Sequence, residues 1–293
     1  MAKNNIQVKI LGDAKGLTGA VDKADGKLGQ LGTSIGKIGL ALGAMGGLAA
    51  GAMLKLGGEF DSAIDSIIVG TGASGAALDD LTEQFEDVFT GIPVSSGDAA
   101  NAIQGLNTVL GYTGDELEMV ATSTLEMARM SGAAIDPLIR NIGGVAAQWG
   151  LTSDGVNDYN DLIFGAAQAS GASVDKLSTG VTKFGAVWQN AGVTLEETVG
   201  FMAQLEKGGI ALTRVMPGIN AATRKWAEDG KVATEEFAKV QDAILAATSE
   251  AEALAIATDA FGAEGAQRVS QGIRTGIIDF ENMGAIVSDT EGS

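Results

Sequence analysis

Seven glycines, Gly91, Gly111, Gly132, Gly150, Gly171, Gly192 and Gly209, follow one another at intervals of 20, 21, 18, 21, 21 and 17 residues. Glycine ends a helix readily because, lacking a Cβ, it enters the left-handed region without steric penalty. Start signals stand shortly after these glycines: Ser95 with Asp98, Thr113 with Glu116, Asp136 before Pro137, Thr152 before Asp154, Ser173 before Asp175 and Thr194 with Glu197. Their side chains accept from the orphan N–H groups of a first turn, and acids there suit the helix dipole. A stop followed by a cap, again and again, predicts successive antiparallel helices joined by short turns. The expected fold class is therefore all-α, an array of antiparallel helical hairpins over roughly residues 59–226. The segment after Thr194 illustrates the pattern: Leu195, Val199, Met202 and Leu205 form one stripe, while Glu196, Glu197 and Gln204 lie off it, so the acids are expected to face water.

Composition supports helices packed closely. Only 3 prolines interrupt the chain, and aromatics make up 5% against 43 glycines, so small residues must bring backbones together where large side chains would otherwise fill space. One strand signal exists, the alternation of Ile6, Val8 and Ile10 with Gln7 and Lys9. Residues 14–34 are polar and broken by glycine, and read as a mobile connector or a marginal helix. From Ile38 to Leu54 the chain carries no charge, and Gly43, Gly47 and Gly51 recur every four residues on one helical face. Such a Gly/Ala-rich apolar helix needs a partner, either another helix packed on the glycine face or a membrane, since its length lies at the lower limit for a span. Gly43, Gly47, Gly51, Leu48 and Leu54 are its candidate residues for self-association or membrane contact. The organisation expected is 1–33 as N-terminal strand and flexible connector, 34–58 as apolar helix, 59–226 as helical core and 227–293 as a smaller C-terminal helical unit. The last residues, DTEGS, carry no helix cap, charged tail or closing element, and the chain reads as a fragment or as the beginning of a much longer polypeptide.

The chain has no Cys and no His, which excludes thiolate nucleophiles, Cys/His zinc sites and triad bases. Carboxylate chemistry would have to come from Asp79/Asp80, Glu196/Glu197 or Glu235/Glu236. Adjacent helical residues point about 100 degrees apart, so such pairs do not converge on one substrate and read better as first-turn acids. No enzyme and no cofactor is expected. Residues 1–57 hold seven Lys and Arg against three Asp and Glu, and the remainder twelve against thirty-four. So acidic a body repels phosphate backbones, and no tight nucleic-acid binding is expected. Without Cys or a secretion signal at its start, the chain is expected to be made in a bacterial cytoplasm.

The run FDSAIDSIIVGTGASGAALDDLTEQFEDV at 60–88 resembles the opening of the core in phage tail tape-measure proteins. The resemblance extends over roughly residues 59–275, and its most specific part is AQASGASVDKL, then AGVTLEETVG, then the turn Gly208–Gly209 before Leu212. FGAEGAQRV at 261–269 is similar to the family's closing segment, while RVMPGIN around Pro217 departs from the pattern and is expected to kink or end a helix. The resemblance implies a structural protein of the tail lumen. It scaffolds tube assembly, sets tail length and leaves before DNA passes. It also implies a homo-oligomer, with tail-tube proteins, tail-tip or baseplate proteins and tail assembly chaperones as partners, and the host membrane during ejection. The alternative reading is a membrane-inserting or pore-forming protein acting through residues 38–54.

Overall fold

The computed structural model describes residues 50–288, with side chains from residue 58 to 287. The chain forms two units, Met1–Ser62 and Ala63–Ser293, and the fold described below is that of the second. The described residues form thirteen helices and no strand: α1 (Ala50–Thr71), α2 (Ala76–Gly91), α3 (Ser96–Leu110), α4 (Gly114–Ser131), α5 (Ile135–Trp149), α6 (Ser153–Ser170), α7 (Val174–Asn190), α8 (Leu195–Lys207), α9 (Leu212–Glu228), α10 (Ala233–Ala246), α11 (Glu250–Phe261), α12 (Ala263–Arg274) and α13 (Ala285–Ser288). The expected strand around Ile6, Val8 and Ile10 lies outside the described residues.

The glycine punctuation works as the spacing requires at six of its seven positions. Gly111, Gly132, Gly150, Gly171, Gly192 and Gly209 all have φ between 65° and 82°, a region in which a Cβ would be strained. Gly91 is the exception. It is the last residue of α2, and the stop is supplied by Ile92, held at φ −130° and ψ 147° by the ring of Pro93 that follows it. Four of the six expected caps accept from the backbone: Ser95 from Asp98, Thr152 from Gly155, Ser173 from Lys176, and Thr194 in a capping box with Glu197. Thr113 caps by position without a side-chain bond, and α5 starts one residue before Asp136, which therefore sits in the first turn instead of capping it. Pro217 does not end its helix: α9 runs through it from Leu212 to Glu228, although a proline there removes one helical hydrogen bond.

From α2 to α9 each helix packs on its sequence neighbour, and α2 packs on α4, α3 on α5, α4 on α6, α5 on α7, α6 on α8 and α7 on α9. The hairpins thus stack into two rows, one of α3, α5, α7 and α9 and one of α2, α4, α6 and α8. Polar rungs repeat between helices of one row. Asn160 Nδ2 of α6 donates to Ser123 Oγ at 2.9 Å and to Thr124 Oγ1 at 3.1 Å on α4. Asn141 Nδ2 of α5 donates to Ser178 Oγ at 3.1 Å and Thr179 Oγ1 at 3.2 Å on α7. Trp188 Nε1 of α7 donates to Asn220 Oδ1 of α9 at 2.9 Å, and Asn220 Nδ2 donates back to the Phe184 carbonyl at 3.1 Å. Glycines make the approach close. A Cβ at Gly143 of α5 would collide with Val109 of α3, and one at Gly180 of α7 would stand 2.7 Å from Leu212 Cδ1 of α9. Buried alanines and aliphatic residues such as Ala99, Ala102, Ile103, Leu117, Val120, Leu138, Ile142 and Ile163 fill the space between the rows. Removal of that apolar surface from water is the main stabilising term, at roughly 25 cal/mol per Å².

Candidate functional site

The most built part of the molecule is the C-terminal end of the stack, where segments distant in sequence meet backbone to backbone. A Cβ at Gly218 of α9 would collide with the Phe261 carbonyl oxygen at the end of α11. The turn that follows returns the contact: a Cβ at Gly265 would stand 2.7 Å from the Arg214 carbonyl. Gly265 has φ 88°, and helical dihedrals are broken at Glu264 and Gly265, so the continuous part of α12 begins at Ala266. RVMPGIN and FGAEGAQRV, read separately in the sequence, are therefore two halves of one joint, and Pro217–Gly218 lies at its centre.

Beneath this joint six aromatic rings gather. Phe237 of α10 lies 4.6 Å from Phe280, 5.0 Å from Trp226, 5.3 Å from Trp188 and 6.5 Å from Phe261, centroid to centroid. Phe201 of α8 stacks on Phe280 at 5.0 Å and meets Trp188 at 5.0 Å. Centroid separations of this order are favourable beyond the area buried. The cluster draws rings from α7, α8, α9, α10 and α11 and from the segment between α12 and α13.

That segment is held by two buried glutamines. Gln204 of α8 donates from Nε2 to the Asn282 carbonyl at 3.0 Å and accepts at Oε1 from Asp279 N at 3.0 Å. Gln241 of α10 donates to Asp279 Oδ1 at 3.0 Å and accepts from Phe280 N at 2.6 Å. Asp279 also accepts from the amides of Glu281 and Asn282. Its carboxyl is held below the ordinary value, because hydrogen bonds from Asn282, Gln241 and these amides outweigh burial, the largest single influence, which acts upward. The sequence stripe placed Gln204 off the buried face of α8. It is buried instead, because the segment 278–283 covers a second side of α8 and leaves residues 198–205 buried all round.

The candidate residues of the apolar run are placed as follows. Gly43, Gly47 and Leu48 lie outside the described residues, and Gly51 and Leu54 fall in the first turns of α1, where the backbone alone is described. Among the described residues no helix is long and apolar enough to cross a membrane.

Glu196/Glu197 and Glu235/Glu236 stand in first turns, as does Asp79, while Asp80 lies one residue beyond the first turn of α2. Glu197 completes the capping box of α8, and Asp79 lies in the first turn of α2. Glu236 of α10 pairs with Lys239 at 2.6 Å and Lys231 at 3.2 Å, and the Lys239 hydrogen bond is the main cause of its lowered pKa. Tyr159 is fully buried, which pushes its phenol well above the ordinary value. Among the described residues no group of three or more acids could hold a metal ion.

The described residues thus form an all-helical protein, a two-row stack that ends in an aromatic joint. Residues 89–284 match the family described as phage-related minor tail protein, and the chain belongs to that family. The match begins at the end of α2 and ends in the glutamine-held segment, so it takes in the stack and its closing end together. Over 201 residues the chain is 25% identical to a protein of Escherichia phage P2 described as a probable tape measure protein, covering 68% of this chain and 24% of that relative's length. The chain thus spans about a quarter of that relative. No solved structure matches.

Proposed function

We propose that this protein is a tail tape-measure protein: a structural scaffold in the tail lumen around which tube subunits assemble, which sets tail length and is released for DNA delivery. The observation that carries the reading is membership of the minor tail protein family, joined to the 25% identity with the P2 protein over 201 residues. A ruler needs extent and contact surfaces, and the helical stack supports the second of these. Copies of the chain associate through the helix at residues 34–58, and tube, tail-tip or baseplate proteins and assembly chaperones are the partners on this reading. Residues 1–33, 34–58, 59–226 and 227–293 act as strand and connector, apolar helix, core and smaller terminal unit.

In this scheme the core works as a compact attachment and folding unit, because its helices pack side by side and do not extend end to end. Length is then measured elsewhere in the full polypeptide, where extended helix converts residues into distance at about 1.5 Å each. In-frame deletions in the complete gene test this. Loss of a helix pair within residues 59–226 is expected to abolish tails, and deletions downstream to shorten them in proportion. Tails of normal length from both deletion classes would overturn the tape-measure reading.

The uncharged run Ile38–Leu54 supports a second reading, insertion into the host membrane at delivery. Liposome leakage by the chain, abolished by Gly47→Asp, is the expected sign of it, and no leakage leaves helix packing as the role of this run.

A further inference from the structure

We propose that residues 276–288 are a strap that opens and closes as one unit on the C-terminal end of the stack, uncovering the Phe201, Phe237 and Phe261 rings while the helices α3–α7 stay folded. The inference concerns how the stack is sealed and does not depend on the assembly role above.

Five features of the segment point to it. Its backbone is held by side chains of other elements. Within the strap are turns and the four residues of α13, far below the length at which a helix is stable by itself. Its attachment runs through the two glutamine clamps, the buried residues Ile278, Phe280, Met283 and Val287, and the packing of α13 on α6 and α8. Three glycines are seats for it. A Cβ at Gly200 of α8 would collide with the Met283 carbonyl, one at Gly208 with the Ile277 side chain, and one at Gly272 of α12 would stand 2.7 Å from Ile278 Cδ1. Finally, the strap leaves α12 at Gly276, which has φ 72°, and a cavity of about 760 Å³ runs along its flank beside Gln204, Lys207, Gly208 and Ala285.

An element held largely by side-chain clamps, hinged at one glycine and carrying little regular structure belongs to the low-stability end of a fold and is expected to open below the global unfolding free energy. Closing returns Phe280 to a gap bounded by three other phenylalanines, so the closed state is a discrete packing arrangement and not a gradual collapse. The Gly200 seat provides a wedge specific to the strap, because the atoms a methyl there would meet belong to Met283 and Gly284.

Native-state hydrogen exchange on the full chain reads the two states directly. In the wild type, the amides of Asp279 and Phe280 are expected to exchange through a local opening, faster than the slowest amides of α4–α7. Gly200→Ala and Gln241→Leu should each speed the strap amides about tenfold or more, with the α4–α7 amides unchanged. Should Gly200→Ala fail to fold, Gln241→Leu decides, since it removes the two clamp bonds without adding bulk to α8. Three results would overturn the proposal: strap amides exchanging together with the slowest helical amides in the wild type, variants that speed every helix equally, or variants that leave the strap unchanged.

Discussion

The middle of the stack and its C-terminal end solve the same packing problem with different materials. Between α3 and α7 the helices approach through Gly105, Gly143 and Gly144, and single asparagines tie alternate helices together. At the end, six aromatic rings fill a wider space, and two glutamines hold a segment that is mostly not helix. The first arrangement can be repeated, since each helix needs only the same small residues facing it, as in stacked-repeat proteins. The second is not repeated along the stack, because its rings converge from five helices at once. Small residues carry the repeated part of this fold and large ones its convergent end.

The largest effect is expected at the centre of the closing end. Phe237 is fully buried and contacts four other rings, so Phe237→Ala should lower unfolding free energy by about 3–5 kcal/mol, measured by chemical denaturation. A loss under about 1 kcal/mol would mean that the cluster is loosely packed and that the contrast between the two regions is false.

A sharper comparison sets two glycines against each other. At Gly218 a new methyl meets the Phe261 carbonyl, a backbone atom that cannot swing away. At Gly180 it meets Leu212 Cδ1 and Met202 Sδ, the far ends of flexible side chains. Gly218→Ala should therefore cost about 1–3 kcal/mol and Gly180→Ala clearly less, since alanine also favours a helix interior. Equal costs would show that the joint between α9 and α11 yields as readily as the stack.

These differences explain which parts were legible in the sequence. Helix ends were, because a stop glycine and a following cap act within a few residues of themselves, as at Gly171 and Ser173. Gly91 misled because Ile92–Pro93 does the same work one residue later. The two-row stacking was not legible: Asn160 meets Ser123, and Asn141 meets Ser178, each 37 residues apart, and neither asparagine differs in type from a surface residue. Gln204 was placed on the wet side for the same reason, since its burial depends on a segment 78 residues away. RVMPGIN and FGAEGAQRV were noticed as motifs, but only the fold shows that one is the seat of the other.

A smaller effect should follow from breaking one rung. Asn160→Ala removes the bonds to Ser123 and Thr124, but Ser123 Oγ also reaches the Val120 carbonyl at 3.3 Å and so keeps an acceptor. The expected cost is about 1–2 kcal/mol, from two lost internal hydrogen bonds at roughly 0.5–1 kcal/mol each, and helix content should not change. A loss as large as that of Phe237→Ala would make the polar rungs, and not the small apolar residues, the basis of the stack.

The smallest effect separates the two regions by sign. Asp279 at the closing end has a folded pKa below its unfolded value, so it contributes stability above the unfolded pKa, and this contribution is lost as pH falls through the folded one. Glu118, in α4 of the stack, is shifted the other way, by burial first and then by the charges of Asp87 and Asp115. A carboxyl whose folded pKa is raised carries its full penalty above that pKa, and protonation relieves the penalty as pH falls. Acid should therefore loosen the end while it relaxes one strain in the stack. Denaturation midpoints across the acidic carboxylate range should show a shallower loss of stability in Asp279→Asn than in the wild type. At neutral pH Glu118→Gln should raise stability, and that gain should shrink towards the acidic side. Matching slopes in the wild type and Asp279→Asn would mean that the Gln241 and Asn282 bonds to this carboxylate do not distinguish its charged form.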